Sequence, residues 1–338
     1  MIEISSDLIF GKKVLLRYDL DVPIRNGKVV EDFRLKAGLP TLRLCLENAD
    51  QVIMMGHIGR PGGREVPELS VEPIYDWLYS QVDLRSHMES GKLKLLENLR
   101  FEVGEEACSE AYAREILKRV EYASLRSQDD GEDGGMFYVN EAFAAHHSSA
   151  STTILPTFLP HAVGLKFAEE VRVLKDLKEN AKRPKVAIIG GKKIEDKYPA
   201  VVGLSSFFEH ILVGGLLAQE IREKHLEIAE NVILGEANDN GIDISDQTTQ
   251  EFEEKIMESK TVFWAGPVGK YEDPAGNHGN QRLAGKIASL NMDSFICGGD
   301  TIAATKGFQD KFTHILVGGG ASTEYLVKDT LPTIDVLK

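Results

Sequence analysis

The stretch Val186-Ala187-Ile188-Ile189-Gly190-Gly191 runs an apolar strand pattern straight into a glycine corner. The same device recurs at Ile211-Leu212-Val213-Gly214-Gly215, Val262-Phe263-Trp264-Ala265-Gly266-Pro267, Phe295-Ile296-Cys297-Gly298-Gly299-Asp300 and Ile315-Leu316-Val317-Gly318-Gly319-Gly320. Runs of Val, Ile and Leu without polar alternation suit strands buried on both faces, as in a parallel sheet. A glycine directly after such a strand lets backbone approach a ligand and turns N–H groups toward an anion. In open α/β sheets, ligands bind beyond the carboxyl ends of the strands. The corners together read as one phosphate-friendly rim, and this half of the chain as a nucleotide holder.

At 338 residues the chain is long for one domain, and two are expected. Lys plus Arg number 39 against 53 Asp plus Glu, a net charge of −14. That balance argues against bulk nucleic-acid or membrane binding, so an anionic substrate needs a local basic pocket. Cys45, Cys108 and Cys297 show no metal-ligand spacing, and Cys297 falls inside a buried-strand pattern. The start, Met1-Ile2-Glu3-Ile4-Ser5-Ser6-Asp7, is not a basic segment followed by an apolar one, and no window resembles a membrane span. A cytoplasmic monomer acting on small molecules is the expectation, with no nucleic-acid or membrane partner.

The first half also alternates strand and helix patterns. Lys13–Arg17 and Gln51–Met55 read as buried strands, with helical spacing of Leu35, Leu39, Leu42 and Leu46 between them. A helix over Glu105–Val120 leads to a strand at Met136–Val139, after an acidic turn at Gln128–Gly135 that lacks EF-hand spacing. Phe167–Arg183 is a charged helical stretch ended by Pro184, placed between the two strand-rich halves as an inter-domain helix. Beyond it come a helix over Leu216–His225, a strand at Val232–Leu234 and a helix over Thr248–Glu258. The fold class is α/β, with two Rossmann-like parallel-sheet domains.

Arginines of the first half sit where strands end. Arg17 precedes Tyr18-Asp19-Leu20-Asp21, Arg34 opens a helix, Arg100 follows Glu97-Asn98-Leu99, and His146 and His147 follow the strand ending at Asn140. His57 and Arg60 lie in Gly56-His57-Ile58-Gly59-Arg60-Pro61-Gly62-Gly63, whose Gly and Pro make a rigid loop. Guanidinium forks match phosphate and carboxylate geometry, so converging arginines suggest a small phosphorylated or carboxylate substrate.

Taken in order, these segments resemble the phosphoglycerate kinase family. The resemblance rests on Gly11–Pro23 with Asp32–Pro40, His57-Ile58-Gly59-Arg60-Pro61, Glu97-Asn98-Leu99-Arg100-Phe101 and Val139-Asn140-Glu141-Ala142-Phe143. It continues through Gly190-Gly191-Lys192-Lys193-Ile194-Glu195-Asp196-Lys197, Trp264-Ala265-Gly266-Pro267-Val268-Gly269, Gly298-Gly299-Asp300-Thr301 and Gly318-Gly319-Gly320-Ala321-Ser322. It implies a kinase moving a phosphoryl group reversibly between 1,3-bisphosphoglycerate and Mg-ADP, with 3-phosphoglycerate and Mg-ATP as products.

The implied organisation is an acid-substrate domain at 1–165, an inter-domain helix with a hinge at 166–183 and a nucleotide domain at 184–322. The tail 323–338 is expected to return to the first domain, and the two domains to close on each other. By motif, Asp19, Asp21, His57, Arg60, Arg100 and His147 resemble phosphoglycerate-binding positions, and Arg34 resembles the arginine that also stabilises the moving phosphoryl group. Lys193 and Lys197 resemble nucleotide-phosphate lysines, Glu272 the ribose carboxylate and Asp300 the Mg2+ residue. Gly191, Gly214, Gly215, Gly266, Pro267, Gly298, Gly299 and Thr301 complete the implied nucleotide site, and Lys193, Gly298 and Gly320 join Arg34 as implied catalytic positions. Neither a Walker A nor a Gly-x-Gly-x-x-Gly sequence occurs at these corners.

The chain departs from the family at several of these places. Asp21 replaces an asparagine, which is unfavourable beside an anion unless the carboxylate turns away or meets a cation. His147 stands for an arginine, which is expected to weaken acid binding and make it more pH-dependent because an ordinary histidine titrates near neutrality. Lys192 replaces a small residue, Leu216 a glycine and Ala265 an asparagine where the resemblance puts adenine, and Ala218–Gly241 is abridged. These changes leave open an altered nucleotide preference, or a non-catalytic ligand-binding or regulatory protein on the same fold.

Overall fold

The computed structural model describes residues 1–122, 135–192 and 194–338. The acidic turn read at 128–135 lies outside the described residues except for Gly135, and so does Lys193. The chain divides into two compact units, Met1–Glu169 with Leu331–Lys338, and Glu170–Thr330.

The first unit holds β1 (Lys13–Arg17), β2 (Ile24–Arg25), β3 (Lys28–Val29), β4 (Gln51–Met55), β5 (Leu93–Leu95), β6 (Met136–Asn140) and β7 (His161–Val163). Five of them form a parallel sheet in the order β5-β4-β1-β6-β7, while β2 and β3 make a small antiparallel hairpin. β1 is central, with Lys13 opposite both Gln51 and Met136. The order runs outward from β1 through β4 to β5 and then resumes at β6 on its other side. The switch point therefore lies between β1 and β6.

The helix Phe33–Asn48 buries Leu35, Leu39, Leu42 and Leu46, one stripe at helical spacing, in the core of this sheet. Its Gly38 admits the Tyr18 ring, since a Cβ there would lie 2.5 Å from Tyr18 Cζ. The Tyr18 hydroxyl donates to Leu35 O at 2.5 Å, tying the chain after β1 to the helix that carries Arg34.

The second unit holds β8 (Lys185–Ile189), β9 (His210–Val213), β10 (Val232–Leu234), β11 (Thr261–Ala265), β12 (Asp293–Cys297) and β13 (His314–Leu316). They form one parallel sheet in the order β10-β9-β8-β11-β12-β13. Every residue of β8 and β11 is buried, as unalternating apolar strands require when helices cover both faces. The order reverses between these two strands, so the switch point lies there.

Several elements differ from the sequence reading. The helix expected over Glu105–Val120 is two, Val103–Glu106 and Glu110–Tyr122, parted where Cys108 takes φ +51° and the Ser109 hydroxyl accepts Tyr112 N–H at 3.3 Å. The edge strands β5 and β7, Leu93–Leu95 and His161–Val163, were not read from the sequence, since each carries a charged or histidine residue in place of an unbroken apolar run. The helix read from Phe167 to Arg183 spans Leu165–Glu179, and the boundary between the two units falls inside it. Among the described residues no helix is long and apolar enough to cross a membrane.

Candidate active site

At the carboxyl end of β1 the Arg17 side chain is 1% exposed, so each of its donors needs a partner. Its Nε donates to Ser151 Oγ (2.9 Å), Nη1 to Tyr18 O (2.7 Å) and Nη2 to His57 Nδ1 (2.7 Å). Ser151 Oγ donates in turn to the buried Glu105 carboxylate at 2.6 Å, which also accepts the Ser149 hydroxyl and Ser151 N–H. A guanidinium only donates, so His57 Nδ1 accepts and the ring proton sits on Nε2. Burial holds the His57 pKa well below its usual value, reinforced by the charges of Arg17, Arg100, Arg34 and Arg60. His57 is a neutral donor in a cationic pocket.

Those four arginines come from separate segments, and neighbouring groups fix Arg17, Arg34 and Arg100. Asn98, buried, donates through Nδ2 to Ile58 O and Leu69 O and accepts Arg100 N–H. Arg100 Nη1 donates to Gly59 O at 2.8 Å, and its Nε lies 3.3 Å from Glu106. Arg34 Nη1 donates to Asp21 O at 3.0 Å and lies 3.5 Å from Asp19 Oδ1. Arg60 is exposed on the loop beyond.

Asp21 meets a backbone donor, its Oδ1 accepting Gly59 N–H at 2.9 Å. The carboxylate that replaces the family's asparagine is thereby turned onto the loop that carries Arg60. Asp19 is buried, and among the described residues its Oδ2 has no hydrogen-bond partner. Burial raises its pKa, Arg34 opposes the rise and Asp21 adds to it. His147 sits on the exposed loop past β6 with its ring 4.1 Å from that of His146. It is not among the charges that act most strongly on His57.

In the second unit the glycine corners touch one another. A Cβ on Gly190 would overlap the Pro267 carbonyl oxygen, and one on Gly214 would lie 2.6 Å from Val268 Cβ. Gly298, at φ +91°, likewise packs on Gly319, whose Cα lies 3.0 Å from where a Cβ would stand. The loop after β11 is pinned by three side chains. Trp264 Nε1 donates to Gly266 O (2.9 Å), Thr301 Oγ1 accepts Gly266 N–H (2.8 Å) and Asn280 Oδ1 accepts Val268 N–H (2.9 Å). Thr301 is buried and also donates to Cys297 O, so its hydroxyl supports the corner from below. The last corner differs, because Val317 N–H and Gly318 N–H already bond the buried Glu170 carboxylate at 2.5 and 3.2 Å.

The charged groups stand along this rim. Lys192 Nζ lies 3.5 Å from Glu272 Oε1. The Lys197 side chain runs beside Gly191, its Cε 3.8 Å from where a Cβ would stand. Asp300, exposed in the first turn of the short helix Gly299–Ala304, accepts the Tyr271 hydroxyl on Oδ1 at 2.9 Å. Its hard carboxylate oxygens suit Mg2+, which binds through one or two carboxylates together with substrate phosphates and water. Leu216 is 44% exposed at the start of the helix Gly215–Glu223, whereas Ala265 is wholly buried in β11.

The sequence marks Arg17 at a strand end without giving it a role, and it does not reveal Asn98, Asn280 and Tyr271 as supports. Asn98 stands inside a quoted motif, which was its only signal. Asn280 and Tyr271 lie outside strand–glycine corners and gave none.

These features define a protein of two doubly wound parallel sheets, one with arginines gathered around His57 beyond β1 and β4, the other lined by glycine corners. The family model named Phosphoglycerate kinase matches residues 5–233 and 217–328. The phosphoglycerate kinase of Dictyoglomus turgidum is 30% identical over 404 aligned positions, covering 100% of this chain and 98% of that one. The phosphoglycerate kinase structure from Coxiella burnetii aligns at TM-score 0.73 and 25% identity, over 99% of this chain and 98% of that one. That of Pyrococcus horikoshii aligns at TM-score 0.81 and 24% identity, over 100% and 98%, a likeness of fold. The chain belongs to the phosphoglycerate kinase family.

Proposed function

We propose that this chain is an ATP:3-phosphoglycerate 1-phosphotransferase, with the acid bound by Met1–Glu169 and Mg-ATP or Mg-ADP by Glu170–Thr330. The observation that carries the reading is the family match along nearly the whole chain. The charges that converge on His57 support it, because an acid bearing both carboxylate and phosphate needs several fixed cations in a protein of net charge −14. A monomer in the cytoplasm is part of the same proposal.

In the direction that consumes ATP, a carboxylate oxygen of 3-phosphoglycerate bonds to the γ-phosphorus as the bond to the ADP oxygen breaks. The transition state is loose, with charge spread over equatorial oxygens, so catalysis is mainly positioning and cationic stabilisation. His57 offers a neutral Nε2–H, Asp19 an acceptor for a substrate hydroxyl, and Arg60 and Arg100 the charge that holds the acid. Arg34, steadied by Asp19 and Asp21 O, supplies the cation for the moving phosphoryl group. Lys193 and Lys197 hold nucleotide phosphates, Glu272 the ribose, and the corners at Gly191, Gly214, Gly215, Gly266-Pro267, Gly298, Gly299 and Gly320 bring backbone close to the nucleotide. Mg2+, held by Asp300, would neutralise phosphate charge.

The test is a coupled assay of ATP-dependent 3-phosphoglycerate consumption, run beside other nucleoside triphosphates. Arg34→Ala should lower turnover by about 10³-fold while the fold survives. Near-normal turnover in that variant would remove Arg34 from its role, and no turnover by the parent with any nucleotide would favour the binding-protein reading.

A further inference from the structure

Tyr271 and Glu272 are adjacent on the loop after β11, and they reach in opposite directions along the rim. Glu272 meets Lys192 beyond β8, while the Tyr271 hydroxyl meets Asp300 beyond β12. The sheet order β8-β11-β12 makes this possible, since the loop rises between the two corners it touches.

Asp300 by itself is an exposed carboxylate on a short side chain, free to turn about both torsions. Tyrosine is a rigid partner with two torsions, and here it rises from an anchored loop. Gly266 and Val268 are bonded to Trp264, Thr301 and Asn280, and Lys270 N–H donates to Ile242 O at 2.8 Å. Thr301, the residue after Asp300, is one of those anchors, so the same short helix is tied to the loop both from below and through the Tyr271 hydroxyl. With Oδ1 accepting that hydroxyl, the carboxylate is oriented before any ligand arrives. Groups that orient a metal-binding carboxylate set its affinity, because freezing the carboxylate after the metal binds would weaken that binding.

We propose that Tyr271 is a positioning residue for Asp300, fixing this carboxylate for the divalent cation that accompanies the nucleotide. The proposal rests on the reading of the second unit as the Mg-nucleotide site with Asp300 as its metal residue. It separates two roles that the hydrogen bond could have. A support for the loop alone would affect nucleotide binding with or without metal, whereas a group that orients Asp300 acts only when the metal is present.

The experiment is isothermal titration of the full-length protein and of Tyr271→Phe with ADP, once in Mg2+ and once in EDTA. Electron paramagnetic resonance of Mn2+-ADP gives a second readout. Phenylalanine keeps the ring and removes only the hydroxyl. The expected result is unchanged affinity for metal-free ADP, about tenfold weaker Mg-ADP binding and a matching loss of bound Mn2+. Equal weakening with and without metal, or no change in either, overturns the proposal. Asp300→Asn, titrated in parallel, tests the underlying reading and should abolish the affinity gained from Mg2+. If Asp300→Asn retains that gain, or the parent binds no ADP, the reading itself falls and the proposal with it.

Discussion

Asp19 shows how a single residue can serve a site at the expense of the fold. Its carboxyl is held above the usual carboxylate range by burial first, with Asp21 adding to the rise and Arg34 and Arg17 opposing it. A carboxyl raised in the folded state binds more protons folded than unfolded. Stability therefore falls as pH climbs from the ordinary aspartate value to the raised one, and the full penalty persists above it. Asp19→Asn removes the buried charge, and should raise the thermal midpoint at pH 7 relative to the parent. The gap should narrow as pH falls through the raised folded-state value and close below about 3.9, the ordinary aspartate value, where both states of the parent become protonated. Turnover should fall in the same variant if Asp19 accepts a substrate hydroxyl. A midpoint at pH 7 no higher than the parent's would mean that attraction to Arg34 outweighs desolvation.

At the scale of elements, the close approach of the corners after β8 and β11 carries the strictest demand on sequence. Gly190 faces the Pro267 carbonyl, and backbone on both sides leaves nothing flexible to yield. Gly190→Ala should destabilise the protein by about 1–3 kcal/mol or more, as overpacking of a filled interior does. It should also weaken ADP binding and leave 3-phosphoglycerate binding to the first unit intact. The control is Gly285→Ala, inside the helix His278–Ala288, where a Cβ would make ordinary contact with Phe308 at 3.5 Å. That change should be neutral or stabilising by up to about 1 kcal/mol from helix propensity. Titration calorimetry and thermal melts of both variants check the pair, and equal behaviour would deny the close contact its importance.

For the molecule as a whole, the chain's last eight residues are the test, since Leu331–Lys338 belongs with Met1–Glu169. Leu331, Ile334 and Leu337 are 0%, 4% and 2% exposed, and the short helix Pro332–Asp335 among them packs near the Ala150–Ile154 turn that contributes Ser151 to the Arg17 network. Each buried aliphatic side chain contributes about 1.5–3 kcal/mol. Truncation after Thr330 should lower the melting transition of the first unit and weaken 3-phosphoglycerate binding, with Mg-ADP affinity unchanged. Scanning calorimetry with titration of both ligands reads this out. An unchanged first transition would show that the segment adds nothing to that unit.

The apolar runs ending in glycine determined the parallel α/β class, because a strand buried on both faces shows no alternation of apolar and polar residues. Ordered motifs carried the family and proposed the charged groups, since residue type and spacing survive in one dimension. Asn98 holding the Arg60 and Arg100 segments together, Thr301 supporting the β11 corner and Tyr271 reaching Asp300 were settled by the tertiary structure alone. Each joins residues far apart in sequence, and a hydrogen bond between such residues leaves no periodicity or spacing behind. The same holds for Asp21. Its carboxylate looked out of place beside an anionic substrate until the fold set Gly59 N–H against it.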